Sequence, residues 1–322
     1  MTIPSSVRLG LIGAGYRGRA IIKAIEHTKS AHLVCVGSRG SETRAYVPSS
    51  CKIFPDWRVM LDPAALDGLI VATPPATHFS ISCDVLSEKI PLLIETPLTT
   101  TLEDAIALKK ISSPPLIMVN HTLLAHPAYR FIKELVIGNT VGPIRALRSY
   151  IGMCSPDRSV LWHFGAQELA LCIDLLNTSE PEDLSARYIR RQKTPSGYTE
   201  TIELQFNFVP ETDVLIRLSN SLEKAIHYLA IHFDRLTLIY DGADSGQLSL
   251  HPPVPDFSVP NDQGQKILLK KEDLLVNTIT EFTMAIANRL EDSESFNLGV
   301  DVVALLARCQ ATLEGYSFSE SL

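Results

Sequence analysis

The sequence predicts an α/β protein: an N-terminal doubly wound Rossmann domain, followed by an α+β domain with a large open antiparallel sheet. Apolar strands alternate with helical segments of about ten residues as far as residue 120. A glycine-rich segment follows the first strand, and beyond residue 120 strand signals with turns between them predominate. Alternating strands and helices indicate right-handed parallel crossovers, and successive strands joined by turns indicate antiparallel pairing.

The first domain is predicted to cover residues 1–121 and to contain five strands. Ile21, Ile22 and Ile25 predict one face of the first helix, and later helices are predicted through Ile81 and Leu86 and over 102–111. The predicted strands are Val7 to Leu11, Leu33 to Val36, Leu69 to Ala72, Leu92 to Ile94 and Leu116 to Val119.

The second domain is predicted to cover residues 122–322. A helix over 129–137 ends at Gly138, and Gly142-Pro143 introduces a long strand over 144–150. Further strands are predicted over 201–208, 214–219 and 236–240, and residues 251–264 form an exposed connection. Two C-terminal helices, over 274–290 and 300–313, are expected to pack back toward the Rossmann domain.

Composition and charge argue against several kinds of partner and site. The 322 residues carry a net charge of −7, which argues against a nucleic-acid partner. No apolar run of about 20 residues and no secretory signal are evident, so we expect a cytoplasmic protein without a membrane partner. The six cysteines are scattered without a C-x-x-C pair, which favours reduced thiols over a metal site.

The glycine loop Gly13-Ala-Gly15-Tyr16-Arg17-Gly18 lies between the first strand and the first helix. In that position glycines allow a tight turn, close approach of a pyrophosphate to the backbone, and close helix–strand packing. The helix N-terminus adds free N–H groups and a partial positive charge. The loop therefore predicts a dinucleotide site; the alternative is a glycine-rich turn with no ligand.

The end of the second strand bears on the choice of nucleotide. NAD enzymes usually place an acid there to bind the ribose 2′-hydroxyl, whereas NADP enzymes supply a cation. Here Ser38 replaces the acid, Arg39 follows it, and Arg44 lies nearby. These residues predict NADP as the cofactor, with NAD as the alternative; Arg39 could also be a solvated loop arginine.

Several further segments resemble the glucose–fructose oxidoreductase, inositol dehydrogenase and MocA (Gfo/Idh/MocA) family. Asp67-Gly-Leu-Ile-Val-Ala-Thr73-Pro74-Pro75-Ala-Thr-His78 is similar to the family's third-strand signature, and Glu95-Thr96-Pro97 occupies the place of its Glu-Lys-Pro motif. The resemblance implies a homodimer or homotetramer formed through the C-terminal sheet, and a small-molecule substrate bound between that sheet and the nicotinamide. It also implies cofactor contacts at Thr73, Pro74 and His78. Glu95 precedes the Thr96-Pro97 turn at a strand end and is predicted to help order that loop near the nicotinamide.

Three positions depart from the family's catalytic pattern. Thr96 stands where the family has its lysine, Gln167 where it has its histidine, and Ala170 where it has an aspartate. Neither Thr96 nor Gln167 titrates near neutral pH, so neither can take the proton of an alcohol. The sequence therefore disfavours ordinary polyol oxidation.

Two histidines are candidates for the missing acid–base group. His121 follows the fifth strand, and His163 precedes Gln167 by four residues; each could equally be a structural residue. Glu168 is predicted to form a surface salt bridge, and the alternative is that it faces the substrate pocket. Because the lysine-free loop also resembles biliverdin reductase-type members, we expect an NADPH-using reductase of a C=C, C=N or C=O bond. The alternative is an inactive dinucleotide sensor or regulatory protein.

Overall fold

The computed structural model describes residues 6–111, 115–155, 159–195, 197–208, 211–242, 246–260, 264–290 and 294–315. By its internal contacts the chain divides into two compact units. The first unit comprises Met1–Ala125 with Glu272–Val303, and the second comprises His126–Lys271 with Ala304–Leu322. The predicted boundary between residues 121 and 122 stays a prediction.

Fourteen strands lie within the described residues. The strands are β1 (Val7–Ile12), β2 (Ala31–Gly37), β3 (Lys52–Phe54), β4 (Gly68–Val71), β5 (Leu92–Glu95), β6 (Ile117–Asn120), β7 (Ile144–Gly152), β8 (Asp183–Thr194), β9 (Gly197–Phe208), β10 (Thr212–Ser219), β11 (Ile226–Phe233), β12 (Thr237–Asp241), β13 (Gln247–His251) and β14 (Gln265–Ile267).

Seven α-helices of at least eight residues accompany these strands in the described part of the chain. The helices are α1 (Tyr16–His27), α2 (His78–Ser87), α3 (Leu102–Lys109), α4 (Pro127–Gly138), α5 (Ala166–Leu176), α6 (Leu274–Ala287) and α7 (Glu294–Gly315).

The first unit contains a six-stranded parallel sheet in the order β3-β2-β1-β4-β5-β6. This confirms the predicted doubly wound fold, in which ligands bind beyond the carboxyl ends of the strands where the order reverses, here between β1 and β4. The short strand β3 was not predicted, because none of its three residues is fully buried and it has no apolar run. The predicted third strand is therefore the fourth in the chain.

The core of the first unit explains the helical pattern of α1. Ile21, Ile22 and Ile25 are at most 2% exposed and belong to one apolar cluster. Ile279 and Phe282 of α6 are buried in the same cluster, so a C-terminal helix completes the packing around α1. Burying five such side chains stabilises the unit by about 1.5–3 kcal/mol for each of them.

The second unit contains an eight-stranded sheet in the order β14-β13-β12-β11-β7-β10-β9-β8. The predicted antiparallel sheet is largely confirmed, but β7 and β10 pair in parallel. The remaining neighbours are antiparallel. The exception arises because α5 and two further strands intervene between β7 and β10, so the chain returns to β7 in the same direction.

Among the described residues one helix, α7, is long and apolar enough to cross a membrane by length and composition. Asp301 and Arg308 interrupt its apolar residues, so its sequence does not form a continuous apolar run. Half of its most apolar window is buried inside the protein. Buried core helices share this composition, so α7 is weak evidence for a membrane span.

Candidate dinucleotide site and a buried acid–base pair

Two glycines of the glycine loop, Gly13 before α1 and Gly18 in its first turn, are required by the packing of the turn. Gly13 has φ +99°, and a Cβ there would lie 2.6 Å from the carbonyl oxygen of Ala72. A Cβ on Gly18 would lie 2.0 Å from the carbonyl oxygen of Gly13. A side chain at either position would therefore displace the backbone of the turn, as the dinucleotide-binding interpretation expects.

Gly15 differs from these two because it faces open space. A Cβ on Gly15 would meet no atom within 4 Å, and its φ of −70° is open to any residue. The next residue, Tyr16, is 90% exposed, and no side chain caps the N-terminus of α1. The first N–H groups of α1 therefore remain available beside an open surface, an arrangement that fits a pyrophosphate group.

The loop after β2 holds Ser38 inward and Arg39 outward. The Ser38 hydroxyl lies 2.8 Å from the Thr43 hydroxyl and accepts a hydrogen bond from the Gly40 N–H at 3.2 Å. Arg39 is exposed and forms neither a hydrogen bond nor an ion pair with any residue that the structure describes. Arg44 donates to the carbonyl of Pro48 at 3.3 Å. This loop can therefore offer the Arg39 guanidinium to an anion.

The only acid in the 38–44 loop is already paired. Glu42 binds the guanidinium of Arg19 at 2.9 Å, and that guanidinium also stacks on the Tyr46 ring, 4.2 Å from its centroid. Glu42 is therefore not in the place that an NAD enzyme gives to its ribose-binding acid at the strand end.

His78 joins the loops that follow β4 and β5. Its Nδ1 lies 2.9 Å from the carbonyl oxygen of Pro97, and its Nε2 lies 2.9 Å from that of Thr73. His78 is 0% exposed, and this burial lowers the pKa of its imidazole against the opposing effect of the two carbonyls. His78 therefore holds the two loops together, and its predicted contact with the cofactor stays a prediction.

The other predicted residues of the first unit lie along the same carboxyl edge of the sheet. Thr73 accepts a hydrogen bond from the Thr77 hydroxyl at 2.7 Å, and Pro74 directly precedes a 3-10 turn at Pro75–Thr77. Thr96 is half-buried and is joined to Pro97 by a cis peptide bond. His121 follows β6 and is 8% exposed.

The other predicted catalytic positions, His163 and Gln167, lie just before and within helix α5 of the second unit. A π-helical turn, Leu161–Gly165, precedes it, and the His163 ring packs edge-on against Phe164 with centroids 4.7 Å apart. Gln167 is half-buried. Glu168 was predicted to form a surface salt bridge, which is wrong: its side chain is 0% exposed. A buried carboxylate needs partners that compensate for its lost hydration.

The partners of Glu168 come from the sheet. One carboxylate oxygen accepts a hydrogen bond from the Ser149 hydroxyl of β7. The other lies 2.9 Å from Nε2 of His227 on β11, which is an ion pair when the imidazole is protonated. His227 is 15% exposed, and its Nδ1 makes no hydrogen bond with any residue that the structure describes.

The environment of His227 favours its charged form. Burial would lower the pKa of the imidazole, but the charge and close contact of Glu168, together with Asp241, raise it above its ordinary value. The ring packs edge-on against Tyr240, with centroids 5.3 Å apart, and burial beside Glu168 and Asp241 raises the pKa of the Tyr240 phenol to about 12. Sequence reasoning missed His227, because nothing near it in the chain indicates its distant partner.

Comparison with known proteins places this geometry in a family. The model of the oxidoreductase family with an NAD-binding Rossmann fold, Gfo/Idh/MocA, matches residues 7–113. A Magnetospirillum magnetotacticum protein, described only as an oxidoreductase, is 32% identical, and the match covers 95% of this chain and 100% of that one with a TM-score of 0.87. The chain belongs to the Gfo/Idh/MocA family. It is therefore a member of an NAD(P)-dependent oxidoreductase family, as the sequence predicted.

Two curated relatives are similar to this chain over less than half of its length. The UDP-N-acetylglucosamine 3-dehydrogenase of Acidithiobacillus ferrooxidans is 28% identical over 136 residues, 41% of this chain and 42% of the relative. The dTDP-3,4-didehydro-2,6-dideoxy-alpha-D-glucose 3-reductase of Streptomyces antibioticus is 29% identical over 147 residues, 44% of each chain. The chain thus spans less than half the length of these relatives.

Proposed function

We propose that this protein is an NADPH-using reductase of a small organic substrate. The observation that carries the choice of nucleotide is the loop after β2. There Ser38 replaces an acid, and the exposed Arg39 guanidinium makes no hydrogen bond or ion pair with the residues that the structure describes. A guanidinium is suited to a 2′-phosphate, because it offers several donors in a fixed plane. Arg44, on the same loop, is the second candidate cation.

The catalytic positions bear on which group handles the proton that accompanies hydride transfer. Bound NADPH supplies a hydride, and the protein has to supply a proton to the substrate. Thr96 and Gln167 cannot serve as the base that alcohol oxidation requires. We propose that a histidine donates the proton instead; His121 and His163 are the first candidates, and the carboxylate-paired His227 is a third.

A ketone is the first class of substrate to examine. Two partial relatives are a 3-dehydrogenase and a 3-reductase of nucleotide-linked hexoses, which act on a carbon–oxygen bond. We therefore rank C=O above C=N and C=C among the reducible bonds. We also propose a cytoplasmic homodimer or homotetramer assembled through the sheet of the second unit.

Replacing Arg39 with alanine is expected to weaken NADPH binding about ten- to a hundredfold, because a charge-assisted contact with phosphate is worth about 1.5–3 kcal/mol. NADH lacks the 2′-phosphate, so its affinity should change less than twofold. Titration of the quenching of tryptophan fluorescence gives both dissociation constants. Lys52→Ala, which removes an exposed cation from β3, is the control. An equal loss for both nucleotides would overturn this role of Arg39.

The unmodified protein is expected to reduce ketones with NADPH and to leave polyols unoxidised. Absorbance at 340 nm should fall with a dTDP-linked 3-ketohexose, and NADP⁺ with inositol or glucose should give no measurable rate, since loss of general acid–base help alone costs about 10²–10⁴ in rate.

Thr96→Lys with Gln167→His should not by itself create strong activity. Robust polyol oxidation would contradict the proposal. NADPH binding without turnover of ketone, imine or enone substrates would favour the inactive sensor.

A further inference from the structure

Arg17, a second arginine of the candidate dinucleotide site, forms an ion pair and a hydrogen bond with other residues of the protein. Arg17 is the second residue of α1, and its Nε lies 2.9 Å from Oε1 of Glu95, the last residue of β5. The Arg17 side chain is 36% exposed and that of Glu95 only 11%. The pair therefore connects the glycine loop with the end of a strand in the other half of the sheet.

Neighbouring polar groups hold both members of the pair in place. The side-chain amide of Asn120 donates to Oε1 of Glu95 at 2.6 Å. The guanidinium of Arg17 donates to the Thr122 hydroxyl at 2.6 Å, and that hydroxyl donates to the amide oxygen of Asn120 at 3.2 Å. Since two of its nitrogens are committed to protein partners, Arg17 is less free than the exposed Arg39 to bind a phosphate.

Glu95 lies where the nicotinamide ring is expected to bind, so its charge affects how tightly the oxidised and reduced cofactors bind. In a doubly wound sheet one half binds each mononucleotide, and the ligand lies beyond the carboxyl ends of the strands. With adenosine assigned to the half that contains β2, the half that contains β4 to β6 receives the nicotinamide. The oxidised nicotinamide ring carries a positive charge, and the reduced ring is neutral. A carboxylate without a counter-ion at this edge would favour the oxidised form.

We propose that Arg17 is the counter-ion that cancels the charge of Glu95 and thereby sets the relative affinity of the site for NADP⁺ and NADPH. This inference rests on the proposed nucleotide function. Arg17 is then a positioning and charge-balancing residue. Its presence removes a bias toward NADP⁺ that would otherwise oppose the use of NADPH as a reductant.

Two single substitutions test the sign of this effect. Arg17→Gln leaves Glu95 uncompensated, so the ratio of the NADP⁺ to the NADPH dissociation constant should fall about tenfold, as for one partly screened charge at short range. Glu95→Gln leaves Arg17 uncompensated, so the same ratio should rise by a similar factor. Arg17→Gln combined with Glu95→Gln should return the ratio to within about twofold of the parent value, because both charges are then absent. Both constants come from calorimetric titration.

Controls separate charge from structure. Arg17→Lys keeps the charge and should keep the parent ratio. Arg19→Gln removes an arginine from the same helix whose partner, Glu42, is 68% exposed, and it should also leave the ratio unchanged. Thermal unfolding without nucleotide identifies any variant that does not fold. If Arg17→Gln does not fold, Glu95→Gln alone still tests the sign.

The possible outcomes are distinct. Opposite shifts that cancel in the double variant support the inference. Shifts in the same direction, or a ratio within twofold of the parent value in both single variants, would overturn it while NADPH binding persists. Failure of the parent protein to bind either nucleotide would instead contradict the proposed function.

Discussion

Replacing Gly15 with valine is expected to abolish tight NADPH binding, with a loss of about a hundredfold or more, while the protein remains folded. The expected separation arises because a Cβ at Gly15 meets no protein atom within 4 Å, although the open space beside it is where the pyrophosphate must approach the backbone. A hundredfold change corresponds to about 2.7 kcal/mol. Fluorescence titration gives the affinity, and urea denaturation gives the free energy of unfolding.

Gly18→Ala is the matched comparison for this prediction. A Cβ on Gly18 would lie 2.0 Å from the carbonyl oxygen of Gly13, so this smaller substitution must distort the turn. We expect Gly18→Ala to lower the free energy of unfolding by more than Gly15→Val does. Should Gly15→Val bind NADPH as the parent does, the glycine loop is not the phosphate-binding site.

Replacing Glu168 with alanine is expected to destabilise the protein by about 3–5 kcal/mol, because removing one member of a buried ion pair leaves the other uncompensated. Glu168 is 0% exposed and contacts both His227 and Ser149. Urea denaturation at pH 6 measures the effect. Glu180→Ala is the control, since Glu180 is 82% exposed in its pair with Arg308 and should change the free energy of unfolding by at most about 1 kcal/mol.

The same pair makes stability depend on pH with a definite sign. The pKa of His227 is raised in the folded protein, so its protonation stabilises the fold fully below the unfolded value of about 6.5. This contribution is lost as pH rises through the raised folded pKa. Glu168→Gln should abolish this decline, which urea titrations at a series of pH values rising from about 6 would reveal. An unchanged decline in Glu168→Gln would show that another group is responsible.

The sequence predicted most of the first unit because its central strands are buried on both faces. Residues of β4 and β5, for example, form continuous apolar runs that are buried throughout. The edge strand β3 has no such run, and no local pattern could reveal it. The parallel pairing of β7 and β10 escaped prediction for a different reason: it depends on which distant strands become neighbours.

The residues of the candidate site also fall into two groups: those that a local sequence pattern predicts, and those that only the tertiary structure brings together. Gly13, Gly15 and Gly18 were predicted because the glycine pattern is local and follows a strand. Glu168 was misplaced because α5 is buried on nearly every side, so a charged residue on it does not indicate exposure. Its partner His227 lies on β11, and only the tertiary structure brings the two together. The pair of Arg17 with Glu95 was also hidden, although each residue had been assigned to the site separately.

The measurement that tests the account most directly is titration of the unmodified protein with NADPH and with NADH under the same conditions. The fluorescence of Trp57 and Trp162 provides the intrinsic signal. We expect saturable binding of both nucleotides, with NADPH bound at least about tenfold more tightly, because of one added charge-assisted phosphate contact. Equal affinities, a preference for NADH, or no binding of either nucleotide would contradict it.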